Sequence, residues 1–228
     1  SYPEERIVRG EAEALVDETF DDLAVMLVDN PAPLSWRCGA PSLFDSQLHR
    51  GKVPMTKEAV RTLAVARMEV APEHTVWDVG AGTGSVSCAL AMAAFRGLVY
   101  AVEREVDAVA LIEENRTAFG LSNLHVVLGE APKALLALPK PDRVFVGGSG
   151  GEMEEIFRAA LAKNPAVRFC LTAVSLESLT QGLRVFEALG LQNVDVTQLT
   201  AAQAKVLGSY HMMLGQNPVY ILSGEGQP

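Results

Sequence analysis

Residues 75–86 read Thr75-Val-Trp-Asp-Val-Gly-Ala-Gly-Thr-Gly-Ser-Val86, and the rest of the chain can be placed relative to them. A short apolar run that contains Asp78 leads into glycines at every second position, and Ser85 then opens an apolar segment with helical spacing. The pattern predicts a strand, a tight loop and a helix start, where glycines permit positive φ angles and the close approach of a ligand. We interpret it as a ligand-binding loop; a glycine-rich turn that holds no ligand is the alternative.

The spacing of the glycines indicates which ligand the loop would hold. A dinucleotide fingerprint has glycine at its first, third and sixth positions, whereas Gly80, Gly82 and Gly84 take the first, third and fifth. The mismatch argues against NAD and FAD. An acid in the first strand, alternating glycines and an acid that ends the second strand resemble the S-adenosylmethionine methyltransferases, and Glu103 stands in the required place. A carboxylate there can accept both ribose hydroxyls.

Composition excludes several classes of protein. The chain has 228 residues, 49% of them hydrophobic, which indicates a folded globular protein. No apolar run is long enough to span a membrane and residues 1–10 do not resemble a signal peptide, so we expect a cytoplasmic protein without a membrane partner. Cys38, Cys88 and Cys170 are odd in number and lack metal-binding spacing, so we expect reduced thiols and no metal site.

The net charge of −9 is concentrated at the start of the chain. Residues 1–30 contain nine acids and two arginines, a net of −7, which leaves −2 for the remainder. A near-neutral body without a basic stripe argues against a nucleic-acid partner.

The same composition suggests a division of the chain. Residues 1–30 stand apart, 31–50 read as a linker and lead-in, and 51–228 read as the main domain. The apolar run at 23–28 is predicted to be a buried strand. Residues 1–30 are then either the end of a preceding domain or an extension that packs on the main domain.

Predicted strands and helices alternate from residue 75 onward. The strands are predicted at 75–79, 98–103, 125–128, 143–147, 167–172, 194–199 and 218–222, and the helices at 86–95, 106–119, 132–138, 153–163 and 176–189. This order predicts an α/β Rossmann-like fold with a mostly parallel seven-stranded sheet and an antiparallel edge strand. A further helix precedes the first strand, with Thr56 as its candidate N-cap.

Ligands of such sheets bind at the carboxyl ends of the strands, so the loops that follow the third and fourth strands are candidate site loops. The third strand ends in Gly129-Glu130-Ala131, where this class of fold brings a backbone N–H to an adenine edge. The fourth ends in Gly147-Gly-Ser-Gly-Gly151, which predicts an open floor with exposed amides. A flexible loop is the alternative there.

Four stretches at these separations resemble the decarboxylating precorrin methyltransferases of cobalamin synthesis. They are Gly51-Lys-Val-Pro-Met-Thr-Lys57, Asp78-Val-Gly-Ala-Gly-Thr-Gly-Ser85, Gly129-Glu-Ala-Pro132 and Val146-Gly-Gly-Ser-Gly-Gly151. The resemblance is strongest to the carbon-15 methylating enzymes, which occur alone or as the C-terminal half of precorrin-6Y C5,15-methyltransferase. It implies S-adenosylmethionine-dependent methylation of a precorrin with loss of carbon dioxide from the ring-C acetate, and a homotetramer. Residues 1–30 resemble the end of the N-terminal tetrapyrrole methylase half.

The pattern and the resemblance together give the candidate site residues. The cofactor-binding candidates are Thr56, Asp78, Gly80, Ala81, Gly82, Thr83, Gly84, Glu103, Glu130 and Ala131. The resemblance also implies that Gly148, Ser149, Gly150 and Gly151 face the tetrapyrrole.

A substrate with several carboxylates needs cations near this floor. His49, Arg50, Lys52 and Lys57 cluster before the first helix, and Arg50 and Lys52 are the substrate-binding candidates; a solvated surface turn is the alternative. Relatives often carry an arginine after the sixth strand, where this chain offers Lys205 alone within 201–205.

Tyr210 and His211 are the candidates for a catalytic acid or base, although a lone histidine is more often structural.

Two other functions stay open at this point. A methyltransferase for another small molecule, such as a phenol or a carboxylate, would share the cofactor residues and differ at the floor loop. A catalytically silent methyltransferase-like domain could serve as a binding partner, but the intact Gly80, Gly82, Gly84 and Glu103 argue against it.

Overall fold

The structure, a computed structural model, describes residues 6–29 and 43–227 of a chain that divides into two units, Ser1–Ser35 and Trp36–Pro228. In the described part of the first unit, the regular structure is one short 3-10 turn, Ala12–Leu15. The predicted strand at 23–28 is wrong, because these residues form no strand and Leu23 and Leu27 are 99% and 95% exposed. A strand needs a neighbour to accept its ladder hydrogen bonds, and the described part of this unit supplies none.

The second unit contains a seven-stranded sheet and a separate two-stranded hairpin. Its helices are α1 (Glu58–Met68), α2 (Ser85–Ala93), α3 (Val106–Ala118), α4 (Met153–Lys163) and α5 (Leu176–Ala188). Its strands are β1 (Thr75–Val79), β2 (Leu98–Glu103), β3 (Leu124–Leu128), β4 (Arg143–Val146), β5 (Arg168–Ala173), β6 (Gln192–Leu199), β7 (Ala202–Leu207), β8 (Tyr210–Gly215) and β9 (Val219–Glu225). The helix predicted at 132–138 is a 3-10 turn, Lys133–Ala137.

The strand order is β3-β2-β1-β4-β5-β9-β6, and β1 to β5 pair in parallel. The chain moves from β1 to one side and later returns to place β4 on its other side, which makes the carboxyl ends of β1 and β4 the switch point of the sheet. The last two predicted strands, β6 and β9, pair antiparallel at one edge of the sheet, as the sequence predicts; β6 is the edge strand, and β9, which also pairs antiparallel with β5, lies one place in. The sequence of β9 suits an internal strand, which is covered on both faces: Ile221 and Leu222 point to opposite faces of the sheet and both are fully buried.

Helices cover both faces of the sheet. α1, α2 and α3 pack on one face, where Met68, Leu90 and Ile112 are fully buried. α4 and α5 cover the other face, where Phe157 stacks on Phe169 with ring centroids 4.1 Å apart. The carboxyl ends of the parallel strands thus point into loops rather than into the core, which is where a ligand can approach.

The start of α1 differs from the prediction. Lys57 is its N-cap residue, its carbonyl accepts from the Arg61 backbone N–H at 2.8 Å, and no side chain caps the helix. The predicted cap, Thr56, is instead held through its carbonyl oxygen, to which the buried Arg61 guanidinium donates at 2.7 Å. The Thr56 side chain is thereby free to line a cavity.

The hairpin β7–β8 lies between the predicted strands 194–199 and 218–222, where the sequence analysis predicts no strand. Leu207 pairs with Tyr210 across a two-residue turn at Gly208 and Ser209, and every residue of both strands is exposed. The hairpin contributes nothing to the core, so it lacks the apolar alternation by which a half-buried strand is recognised.

Candidate active site

The glycine loop between β1 and α2 lies against the loop that follows β4. Gly80 has a φ of 71°, and a Cβ there would overlap the backbone of Gly148, 2.7 Å from its nitrogen. Gly84, with a φ of 74°, precedes α2, and a Cβ there would lie 3.0 Å from Ile112. Two of the alternating glycines are therefore required by close packing as well as by the loop's conformation. The approach of the two loops confirms that the glycine-rich stretches meet at the switch point.

Glu103 ends β2 beside the glycine loop, as the sequence predicts. Its Oε2 accepts the Gly82 N–H at 2.8 Å, and its Oε1 accepts the N–H groups of Arg104 at 2.8 Å and Glu105 at 3.0 Å. The side chain is held in one orientation, and of a carboxylate's roughly four acceptor sites one, on Oε2, is left for a ligand. A hydroxyl group of a ligand fits that remaining site.

Two buried polar atoms at the glycine loop lack a protein partner. Asp78 is fully buried and its Oδ2 accepts the Ser87 hydroxyl, while Oδ1 has no hydrogen-bond partner among the residues that the structure describes. The Thr83 hydroxyl, in a residue only 1% exposed, is unpartnered in the same sense. Burial raises the pKa of Asp78 to about 7. Since buried polar groups are normally satisfied, these atoms fit a ligand with both donors and acceptors, such as the amino-acid end of S-adenosylmethionine.

Two cavities meet beside the glycine loop, at Gly80 and Glu103. The larger has a volume of about 1040 Å³ and lies between the segment before α1, the glycine loop, the start of α3 and the ends of β5 and β9. The smaller, of about 240 Å³, lies between the ends of β1 and β2, the loop after β3 and the loop after β4. Both are lined by Gly80, Glu103, Arg104 and Glu105.

The structure divides the sequence-predicted residues between the cavities. The larger is lined by Lys52, Thr56, Lys57, Asp78, Gly80, Ala81, Gly82, Thr83 and Glu103. The smaller is lined by Gly80, Glu103, Glu130, Ala131, Gly148, Ser149 and Gly150. Most of the predicted floor thus lies with predicted cofactor residues rather than beside Lys52.

Several predicted residues lie outside both cavities. Gly84 packs under the loop, Gly151 lines a groove between α4 and α5, and Arg50 lines neither cavity. Tyr210 and His211 are exposed on β8 and line neither cavity. The geometry therefore gives these two no role in acid–base chemistry at the site.

Other lining residues escaped the sequence analysis. Arg104 lines both cavities and pairs with Glu105 at 3.3 Å and Glu130 at 3.2 Å. The larger cavity is also lined by Phe145, Thr172, Val174, Gln216, Asn217 and Val219. The position of Arg104 directly after Glu103 was a usable signal. No such sequence signal marks Gln216 and Asn217, because their position depends on the hairpin before them.

Other chemistries find no support at the site. The described residues contain no cluster of three or more His, Cys, Asp or Glu side chains that could hold a metal ion. Cys88 and Cys170 are free and buried, and burial raises the pKa of both thiols to about 12, far from a reactive thiolate. Cys38 lies outside the described residues. Within 6–29 and 43–227, no helix is both long and apolar enough to cross a bilayer.

Comparison with known proteins identifies the family. The model of the precorrin methyltransferase domain matches residues 47–225. A probable cobalt-precorrin-6B C(15)-methyltransferase (decarboxylating) of Pyrobaculum calidifontis is 37% identical over 193 residues, which cover 83% of this chain and 98% of that protein.

Two solved structures are similar over the same region. A precorrin-6Y C5,15-methyltransferase from Geobacter metallireducens has a TM-score of 0.76 and 34% identity, and covers 80% of this chain and 97% of its own. The C-terminal domain of precorrin-6Y C5,15-methyltransferase from Rhodobacter capsulatus has a TM-score of 0.69 and 32% identity, with coverages of 80% and 96%. The chain is therefore a methyltransferase with S-adenosylmethionine as its methyl donor, and it belongs to the precorrin methyltransferase domain family.

Proposed function

We propose that the chain methylates a precorrin at carbon 15 and removes the carboxyl group of the ring-C acetate, in the biosynthesis of cobalamin. The observation that carries the proposal is the junction of the two cavities at Glu103 and Arg104. A nucleoside held at Glu103 can extend its reactive end into the larger cavity, which has room for part of a second, larger molecule.

Residues around the junction account for the parts of the methyl donor. Glu103 would accept a ribose hydroxyl on Oε2, while Asp78 and Thr83 would meet the amino-acid end with their unpartnered oxygens. The smaller cavity, with Glu130, Ala131 and the Gly148–Gly150 floor, would then hold the adenine ring. This assignment moves the floor from the tetrapyrrole, where the resemblance put it, to the cofactor.

The larger cavity has the chemistry expected for a flat substrate with several carboxylates. Three cations, Lys52, Lys57 and Arg104, line it. Phe145, Val174 and Val219 are apolar residues of the same lining. Such cations can pair with carboxylates while an apolar wall covers the face of a conjugated ring.

Methyl transfer from a sulfonium does not require a general acid or base from the protein. The bound sulfonium supplies a methyl group for in-line displacement, so the chain contributes by aligning the substrate carbon and by excluding water. In decarboxylation the carbon–carboxyl bond breaks and carbon dioxide leaves, and the conjugated ring can pass the released electron pair to the meso carbon, which uses it to form the new bond to the methyl group. The apolar surface around Phe145 favours this step, because a poorly solvated carboxylate is released more readily.

Substitution of the two lining lysines tests the substrate assignment. We expect Lys52→Ala and Lys57→Ala to raise the KM for a precorrin and to weaken its dependence on salt, while the affinity for S-adenosylhomocysteine stays unchanged. Lys140→Ala is the matched control, because Lys140 is exposed and lines neither cavity. An unchanged KM in both of these lining variants would remove these lysines from the substrate site.

A methyltransferase for another small molecule is the second candidate, because it would use the same cofactor residues. Rates measured with precorrins, with and without cobalt, and with a small phenol separate the two. A phenol turned over faster than either tetrapyrrole would favour this second candidate.

We also propose that the chain assembles as a homotetramer through the β7–β8 hairpin. Val206, Tyr210 and Met213 are 63%, 74% and 64% exposed, and the Gln216 N–H to Ala201 carbonyl bond of 2.8 Å closes the hairpin's base. A two-stranded ribbon with apolar side chains on both faces is rarely stable uncovered.

We also propose that residues 1–30 are the end of a preceding tetrapyrrole methylase domain and do not support the fold of the methyltransferase domain. Deletion of residues 1–30 should leave the affinity for S-adenosylhomocysteine unchanged. Loss of the folded domain on deletion would contradict it.

A further inference from the structure

A buried carboxamide on α3 joins two segments that line the larger cavity. Asn115 is fully buried, and its Oδ1 accepts the His49 N–H at 2.8 Å. Its Nδ2 donates to the carbonyls of His49 at 2.8 Å and of Thr83 at 2.9 Å. One side chain thus pairs with both backbone groups of His49 and with the glycine loop.

His49 begins what we call the wall segment, residues 49–57, of which Lys52 to Lys57 line the larger cavity. No helix or strand holds this segment. Its far end is fixed by Arg61, which donates to the Thr56 carbonyl at 2.7 Å. Its near end depends on Asn115, so the two buried side chains clamp the segment from both ends.

The wall segment and the glycine loop also touch directly. A Cβ on Gly82 would lie 3.4 Å from the Pro54 carbonyl oxygen, and a Cβ on Gly51 would lie 3.5 Å from Leu111 of α3. α3 is therefore the common support of both segments. A change in the conformation of the loop at Thr83 would be transmitted to His49 through one polar side chain.

We propose that Asn115 is a positioning residue that couples the glycine loop to the wall segment, so that filling the cofactor site orders the wall for the substrate. The inference rests on the proposed function of this site, because it takes the glycine loop to hold the methyl donor and the wall to face the tetrapyrrole. Asn115 itself touches neither ligand. Its oxygen and its amino group make three hydrogen bonds to backbone groups, and loss of a buried partner leaves those groups unsatisfied.

Amide hydrogen exchange tests the coupling without any turnover. The reporters are the glycine-loop amides and the Val53 N–H, which donates to the Arg50 carbonyl at 3.2 Å within the wall segment. In the wild type, S-adenosylhomocysteine should slow exchange at both, at Val53 by roughly five- to tenfold, the worth of about one net hydrogen bond. In Asn115→Ala the glycine loop should still be slowed and Val53 should not.

Asn164→Ala is the matched control. Asn164 is also buried, donates to the Pro141 carbonyl at 2.7 Å and accepts from the Ala166 N–H at 3.2 Å, but it lines neither cavity. It should lower the melting temperature and leave the response of Val53 intact. An equal loss of response in Asn164→Ala would show a general effect of destabilisation and overturn the proposal.

A second variant covers the case in which Asn115→Ala does not fold. Asn115→Asp keeps the acceptor for His49 but turns an oxygen toward the carbonyls of His49 and Thr83. Burial beside these carbonyls raises the pKa of the new carboxyl, so with saturating S-adenosylhomocysteine the response of Val53 should be lost above that pKa and return below it, where the protonated group donates to one of the carbonyls. A response that ignores pH would contradict the coupling.

The hydrogen-exchange experiment on the wild type distinguishes failure of the coupling from failure of the proposed function. If S-adenosylhomocysteine shields the glycine loop but leaves Val53 unchanged, the coupling is wrong while the cofactor site stands. If the wild type does not bind it, the proposed function itself fails. With a precorrin, Asn115→Ala should raise KM by about tenfold at unchanged folded fraction, whereas Asn164→Ala should not.

Discussion

At Glu103, three backbone N–H groups hold one carboxylate at the junction of two cavities. We expect Glu103→Ala to weaken the binding of S-adenosylhomocysteine by roughly 1.5 to 3 kcal/mol, the usual worth of hydrogen bonds to a charged group. Titration calorimetry gives the value directly. Glu154→Ala is the control, because Glu154 pairs with Arg158 on the surface of α4. Equal affinity in the wild type and Glu103→Ala would remove the ribose assignment.

Asp78 gives the site a dependence on pH. Burial raises its pKa to about 7, so the carboxyl is protonated in acid and becomes charged as the pH rises through neutrality. A ligand with an ammonium group favours the charged form, so affinity should increase as the pH rises from about 5 through the pKa and level off only above it, at about pH 8, with proton release on binding at the lower pH.

Asp78→Asn provides the comparison, because the amide cannot titrate. Its affinity should be flat over the same range, and calorimetry in buffers of different ionisation enthalpy should show no linked proton from this site. A wild-type profile as flat as that of the variant would separate Asp78 from the ligand.

At the scale of the elements, the meeting of two glycine loops can be tested with a matched pair. Gly80→Ala adds a Cβ 2.7 Å from the Gly148 nitrogen, whereas Gly208→Ala has a similar φ, 62°, and no described atom within 4 Å. Both variants incur about 1 to 2 kcal/mol from the left-handed backbone. Gly80→Ala alone should force the loops apart and lose S-adenosylhomocysteine binding. Retained affinity would show that the contact of the loops is dispensable.

The sequence predicted the elements that enter the core and missed those that do not. Strands β1, β2 and β4 are apolar runs that end in glycine or acid, so burial and turn chemistry agree. The hairpin at Leu207 and Tyr210 has no buried side chain to create a pattern. Gly208 followed by Ser209 between two strand-like runs was the signal that could have located it.

The site was predictable where chemistry follows a strand end directly. Asp78 and Glu103 belong to the strands whose position fixes them, and both lie where expected. Asn115 and Arg61 could not be found, because Asn115 pairs with His49, 66 residues away along the chain, and because the carbonyls that both side chains bind leave no trace in composition. The sequence correctly predicts that Gly148–Gly150 lie beside the glycine loop. It does not show that they line the smaller cavity, because that depends on how the loops fold against each other.

At the scale of the whole molecule, the exposed hairpin predicts how the chain assembles. Met213→Lys should shift the particle from a tetramer to a smaller species in light scattering, because a charge would be buried in the interface. Leu136→Lys is the control, since Leu136 is 68% exposed, close to the 64% of Met213, and lies on the 3-10 turn. A monomeric wild type, or a tetramer unaffected by Met213→Lys, would contradict assembly through the hairpin.

The reaction itself is the most direct test of the central claim. The chain is incubated with S-adenosylmethionine and with precorrins, with and without cobalt, and the molecular mass of the product is measured by mass spectrometry. The site predicts a tetrapyrrole that has gained one methyl group and lost one carbon dioxide, with the new methyl at carbon 15 when a labelled donor is used. A product that carries the methyl with all carboxyls retained would contradict the decarboxylation, and no methylated tetrapyrrole alongside a methylated small molecule would contradict the precorrin assignment.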